Sequence, residues 1–290
     1  MKKAASILLF ILLMLLLLFK LWKVPTAKKE RESTEVPSKE SAEKENVRNF
    51  WVNYRQATNN RIAREWGMAA AEYEKALTLD SEHEDALYYL GNMYLELGEF
   101  GKAEKTWLRL ENLNSKSPRV HFQLGSLYLN YPDSRFFNIE KAKIFFQKAL
   151  AMNKEETGAL LYLGQIELLK GKLEKAQTYF AAVTGSNFKS VPAHFLNGYI
   201  AWKRGDSKEA LTSFDKAIQY SRPTKPKMGV LGEGDAKFGK SFGRPKKKSL
   251  FNPYLRDLAG VNEKNTRQEM EARYRHVDKF LKKIKFQKPQ

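Results

Sequence analysis

Apolar and polar residues follow a helical period through the middle of this chain, and one short pattern returns at a near-fixed interval. Leu87, Leu90, Gly91 and Tyr94 fall at i, i+3, i+4 and i+7. After a break at Leu97-Gly98, a second stripe follows at Ala103, Trp107 and Leu110. The pattern predicts two helices joined by a tight turn. The small residue of the first helix recurs as Gly91, Gly125, Gly164 and Gly198, at intervals of 34, 39 and 34 residues. Ala57 continues that phase 34 residues before Gly91. A period in this range predicts a repeat architecture, in which each helix pair buries its apolar face only against its neighbours.

The periodic positions recur together. The second unit has Leu87, Leu90-Gly91, Tyr94, Ala103, Trp107 and Leu110; the third has Leu124-Gly125, Tyr128, Ala142, Phe146 and Ala149. The fourth has Leu160, Leu163-Gly164, Ala176, Phe180 and Val183, and the fifth Gly198, Ala210, Phe214 and Ala217. A degenerate first unit carries Ala57, Ala69, Tyr73 and Ala76. This set resembles the tetratricopeptide repeat (TPR) family. The resemblance covers residues 50–224, with units near 50–83, 84–117, 118–156, 157–190 and 191–224, and implies an all-α, right-handed solenoid of five helix–turn–helix repeats. The third unit holds five extra residues near Tyr131–Phe137. They predict a longer turn whose Phe136 and Phe137 pack on the following helix or form an exposed contact.

In that family the first helices line a concave groove that holds a peptide or protein segment. The resemblance therefore implies a floor made by residues three before the small position and one after it. These are Tyr54, Tyr88, Phe122, Leu161 and Phe195, and Thr58, Asn92, Ser126, Gln165 and Tyr199. Aromatic rings with amides and hydroxyls suit apolar side chains and an extended backbone. Family members that clamp a C-terminal carboxylate want lysine where Tyr54 and Tyr88 stand, so that activity is not expected.

Outside the repeats the pattern changes. Ala4–Phe19 is an uncharged, leucine-dominated run after Lys2-Lys3, and Leu21 and Trp22 extend it past Lys20. It predicts a membrane anchor over residues 1–23, contacting the bilayer through residues 4–22, with a cleaved secretory signal as the competing reading. Two lysines on a short leading segment favour a body outside the cytoplasm, on the periplasmic side in a bacterium. Residues 24–49, rich in Lys, Glu and Ser, read as a flexible linker. Residues 225–261 read as a Gly/Lys-rich linker. Met270, Tyr274, Val277, Leu281 and Ile284 then mark a basic amphipathic helix over residues 262–288. That helix is expected to cap the solenoid, pair with a partner helix or lie on an anionic surface.

Charge sharpens this division. The net charge is +18, of which residues 222–290 carry +12 and the repeat body almost none. Arg244, Lys246, Lys247 and Lys248, with Lys279, Lys282 and Lys283 on the final helix, are the candidate contacts to anionic lipid or an acidic protein. Nucleic acid fits less well, because no aromatic platform accompanies them. There is no cysteine, and the four histidines are scattered, so thiolate chemistry is excluded and no metal site is expected.

One motif points elsewhere. Gly234–Ser241 satisfies the G-x-x-x-x-G-K-[ST] pattern of a phosphate-binding loop. Such a loop needs a buried strand before it and a helix after it, whereas Gly243 and Pro245 would interrupt any helix starting at Ser241. Nucleotide hydrolysis is the minor alternative. The leading expectation is a tethered, non-enzymatic adaptor with no cofactor.

Overall fold

The computed structural model describes residues 39–131, 134–154, 156–222 and 249–286. The anchor prediction, the cluster Arg244–Lys248 and the loop-like motif Gly234–Ser241 lie outside them. The chain divides into a compact unit ending at Asn46 and a second from Val47 to Gln290. The described part of the first is the start of helix α1 (Lys39–Ala63).

Ten helices form five consecutive pairs. Their first members are α1, α3 (Glu84–Glu96), α5 (Pro118–Leu129), α7 (Thr157–Leu169) and α9 (Val191–Lys203). The second members are α2 (Trp66–Leu79), α4 (Phe100–Leu113), α6 (Ile139–Met152), α8 (Leu173–Ser186) and α10 (Ser207–Ser221). Two short 3-10 turns, Asn252–Leu255 and Leu258–Gly260, precede α11 (Thr266–Phe286). The described residues contain no strand.

The recurring glycines are explained by close packing. A methyl group on Gly91 would lie 2.3 Å from Trp107 Nε1, and one on Gly164 2.5 Å from Phe180. In the second, third and fourth repeats the large ring of the second helix lies on the bare backbone of its own first helix, whereas Gly198 is met by Tyr274 of the final helix. A second periodic signal sits at the turns. Gly98, Gly171 and Gly205 adopt positive φ, and Arg64 does the same one period earlier. Each left-handed residue lets the next amide reach back to the preceding helix, as in Glu99 N–H to Tyr94 O at 2.8 Å and Lys172 N–H to Glu167 O at 2.9 Å.

The third repeat makes the same closure around its insertion. Asn138 N–H donates to Tyr128 O at 2.8 Å, spanning ten residues where Glu99 to Tyr94 spans five. The pairing of α5 with α6 is like that of the second, fourth and fifth repeats. Phe136 packs edge-on against Phe100 of α4, at 6.0 Å. Phe136 therefore reaches back to the preceding repeat, which neither expected alternative named, while Phe137 is half-buried against the core.

Two linker expectations are corrected. The segment read as flexible over residues 24–49 is helical from Lys39. Beyond Pro37 it contains good helix formers and an i,i+4 Glu40–Lys44 pair at 2.6 Å. The linker over residues 225–261 is ordered from Ser249, where Leu250, Phe251, Leu258 and Val261 are buried. These apolar residues fold back because an adjacent solenoid end offers them an apolar surface.

Candidate functional site: the first-helix face and its tail helix

The face presented by the first helices has two different ends. At its N-terminal end, Tyr88, Asn92 and Gln123 are half-buried. Gln123 Nε2 donates to Tyr88 Oη at 3.1 Å and to Asn92 Oδ1 at 2.9 Å. The Arg119 guanidinium lies 4.8 Å from the centre of the Tyr88 ring and pairs with Asp85 at 2.8 Å. These bonds join α3 to α5 and fix the ring and both amides. They use the Gln123 amino group and the Asn92 carbonyl oxygen, so each amide keeps its complementary group for a ligand.

Other predicted floor residues are committed to packing. Tyr54, Tyr73 and Tyr89 form a ring cluster, with centroids 5.5 and 6.0 Å apart along it. Phe122, Phe146 and Tyr162 repeat it at 5.7, 5.5 and 4.8 Å. The aromatics three before the small position therefore wedge consecutive repeats together, and Tyr88 differs in forming the polar contact to Gln123. Thr58 donates its hydroxyl proton to Tyr54 O at 2.9 Å, and Ser126 Oγ is buried. Leu161 is half-buried.

At the C-terminal end the face is filled by the chain itself. Phe195, Tyr199 and Gln165 are at most 1% exposed, so they do not form an open floor. The cause is α11, which lies against α7, α10 and the turn at Asn252–Leu255. Tyr274 meets Phe195, Tyr199, Trp202 and Phe214 with centroids 5.2–6.1 Å apart. It stands where Tyr89 and Tyr162 stand in earlier repeats, completing a third ring cluster. The tail helix thus supplies the position that a sixth first helix would fill. All five residues of its predicted apolar stripe, Met270, Tyr274, Val277, Leu281 and Ile284, are buried.

This packing has a charged clasp. Asp278 accepts from Tyr199 Oη at 3.1 Å, Lys203 Nζ at 2.5 Å and Lys282 Nζ at 2.9 Å. Burial raises its pKa, but the hydrogen bonds from Lys203, Lys282 and Tyr199 outweigh that and lower it from 3.8 to about 2. A lowered folded pKa adds stability above the unfolded value, and that stability is lost as pH falls toward about 2. Asp278→Asn is therefore expected to weaken α11 docking near neutral pH and to flatten the acid dependence below pH 3.8, checked by hydrogen exchange of α11 amides against pH. An unchanged acid profile in the variant would show that Asp278 is not the clasp.

The buried polar residues of the repeat body have structural roles. Glu167, inaccessible to solvent, pairs with Lys143 at 2.9 Å across α6 and α7. Tyr94 donates to Glu74, and Tyr128 donates to Glu104 at 2.5 Å, between the corresponding earlier helices. His194 bonds Phe188 O at 2.7 Å. Among the described residues, no three His, Cys, Asp or Glu side chains gather as metal ligands. No described helix is both long and apolar enough to cross a membrane.

Sequence reasoning missed Gln123 and Trp202, and weighed Arg119 only as an insufficient carboxylate clamp. Gln123 lies two before the small residue, where the second, fourth and fifth repeats place Tyr89, Tyr162 and Leu196 and the degenerate first repeat places Arg55, and that polar residue within the regular repeats was the available signal. The all-round apolar character of Leu160–Leu169 was the signal that α7 is covered on both faces.

Known proteins agree with this architecture. Tetratricopeptide repeat models match residues 63–124 and 171–226. The human protein O-mannosyl-transferase TMTC1 is 28% identical over 146 residues, which are 50% of this chain and 16% of that relative. A MamA structure from Desulfovibrio magneticus RS-1 superposes with a TM-score of 0.54 at 14% identity, covering 60% of this chain and 95% of that one. YrrB, described as a TPR protein with an unusual peptide-binding site, gives 0.50 at 25% identity, covering 62% and 90%. Helix pairing, small-residue period and these likenesses agree: the chain is a tetratricopeptide-repeat protein.

Proposed function

We propose that this chain is a membrane-tethered adaptor, without chemistry of its own, that holds an extended protein or peptide segment on the first-helix face of repeats 1–3. The observation that carries this reading is the Tyr88–Gln123–Asn92 network. It offers a fixed ring and two oriented amides beside Arg119, at the end of the face that the tail helix leaves open. An extended backbone presents alternating N–H and C=O groups, which the Gln123 amide oxygen and the Asn92 amino group match. The peptide-binding site ascribed to YrrB supports the ligand class. The tether is inferred from residues 4–22, and Lys2 and Lys3 favour a body outside the cytoplasm. Protease accessibility of a tag after Gln290 reports the side.

The test is to pan a random peptide library against the full chain and titrate the selected peptides. Tyr88→Ala and Gln123→Ala are each expected to weaken binding by about 30-fold, the scale of an interface hot spot near 2 kcal/mol. Peptides that bind both variants as tightly as the parent would place the site elsewhere.

A further inference from the structure

The tail helix has a second face. Arg275, Lys279, Lys282 and Lys283 fall at i, i+4, i+7 and i+8 of α11, opposite the buried stripe Met270–Ile284. All four are exposed, Arg275 and Lys282 at 65% and 67%. Arg275 pairs with Glu271 at 2.8 Å and Lys282 with Asp278 at 2.9 Å. Lys279 and Lys283 meet no carboxylate among the described residues. The result is a cationic line about 12 Å long on a helix whose other side is packed against the repeats.

We propose that this line docks on an anionic phospholipid surface by electrostatics alone, without inserting apolar side chains. An interfacial amphipathic helix normally buries its apolar face in the lipid. Here that face is occupied by Phe195, Tyr199 and Phe214 through Tyr274. The one large ring near the line, Phe280, is half-buried against Phe251 and Tyr254, at 5.9 and 5.8 Å. Among the described residues, no exposed Phe, Tyr or Trp of the helix borders the line to stack a base, which disfavours single-stranded nucleic acid. Three of the four cations are lysine, a hydrated point charge without the planar fork that grips a fixed carboxylate. Such charges suit mobile headgroups better than a folded acidic partner. The uncharged run Ala4–Phe19 supplies the bilayer that the helix would meet, so this inference rests on the tether reading for its setting.

The test uses the full chain with phosphatidylcholine vesicles, with and without phosphatidylserine. Binding to pure phosphatidylcholine reports the Ala4–Phe19 segment, and the gain from phosphatidylserine reports the cationic line. The triple variant Arg275→Gln, Lys279→Gln, Lys283→Gln, which leaves the Asp278 clasp intact, is expected to lose that gain by on the order of 100-fold, about one kcal/mol for each charge, with neutral-vesicle binding unchanged. Lys279→Arg and Lys283→Arg should keep it. High salt should remove the gain in the parent chain. A gain that survives the triple variant or high salt would overturn the proposal, as would preference for poly-glutamate or duplex DNA over the vesicles. Absence of neutral-vesicle binding alone would count against the tether and leave the gain to be measured separately.

Discussion

Tyr274→Ala is expected to release the tail helix and loosen the fifth repeat while repeats 1–3 remain folded. Tyr274 is inaccessible to solvent and touches four rings from α9 and α10. Truncating a buried aromatic to alanine costs about 3–5 kcal/mol. In a stack of repeats that loss falls on the nearest interfaces and does not spread evenly. Hydrogen exchange should therefore show lost protection in α9, α10 and α11 and little change in α3–α6. Tyr274→Phe provides the control. Tyr274 Oη is buried over Gly198 without a hydrogen-bond partner, and a methyl on that glycine would lie 2.2 Å from it. Removing an unpaired buried hydroxyl should be neutral or stabilising. Uniform loss of protection along all repeats would contradict the local picture, and a large cost for the phenylalanine variant would mean that the hydroxyl is satisfied.

The contrast between those two substitutions shows what the sequence could and could not convey. The stripe from Met270 to Ile284 announces a helix with a buried side, because burial imposes its own period. It does not name the surface that buries it, which here lies some 70 residues upstream at Phe195–Trp202. The same difficulty applies to Phe122 and Tyr88. Both stand three before the small residue, and the local pattern assigns them one role. Their fates separate because the residue facing Phe122 from the next repeat is Tyr162, whereas Tyr88 meets Gln123. The helix pairs themselves were legible down to the insertion, since Gly91–Trp107, Gly125–Phe146 and Gly164–Phe180 are contacts within one repeat. Local pairs leave a local signature, whereas groove and cap depend on neighbours that the period does not specify.

Trp107→Ala is expected to be as costly as Tyr274→Ala, about 3–5 kcal/mol, and to reverse the effect of a second substitution. Trp107 is inaccessible to solvent, lies on the backbone of Gly91, and donates Nε1–H to Tyr88 O at 3.3 Å. In the parent chain, Gly91→Ala forces a methyl against the indole at 2.3 Å and should cost about 1–3 kcal/mol by overpacking. Once the indole is gone, the methyl enters the cavity and the helix gains up to about 1 kcal/mol from the better helix former. Gly91→Ala should then stabilise the Trp107→Ala protein, a coupling that a double-mutant cycle measures by denaturant unfolding. Additive effects would mean that the glycine is kept for some reason other than the ring. The cycle also bears on binding, because the indole holds the carbonyl of Tyr88, the residue whose ring and hydroxyl define the open end of the face. Peptide affinity should fall in Trp107→Ala even at temperatures where α3 and α4 remain helical, and Gly91→Ala should recover part of the stability without restoring affinity, because a methyl cannot replace the indole N–H that orients Tyr88.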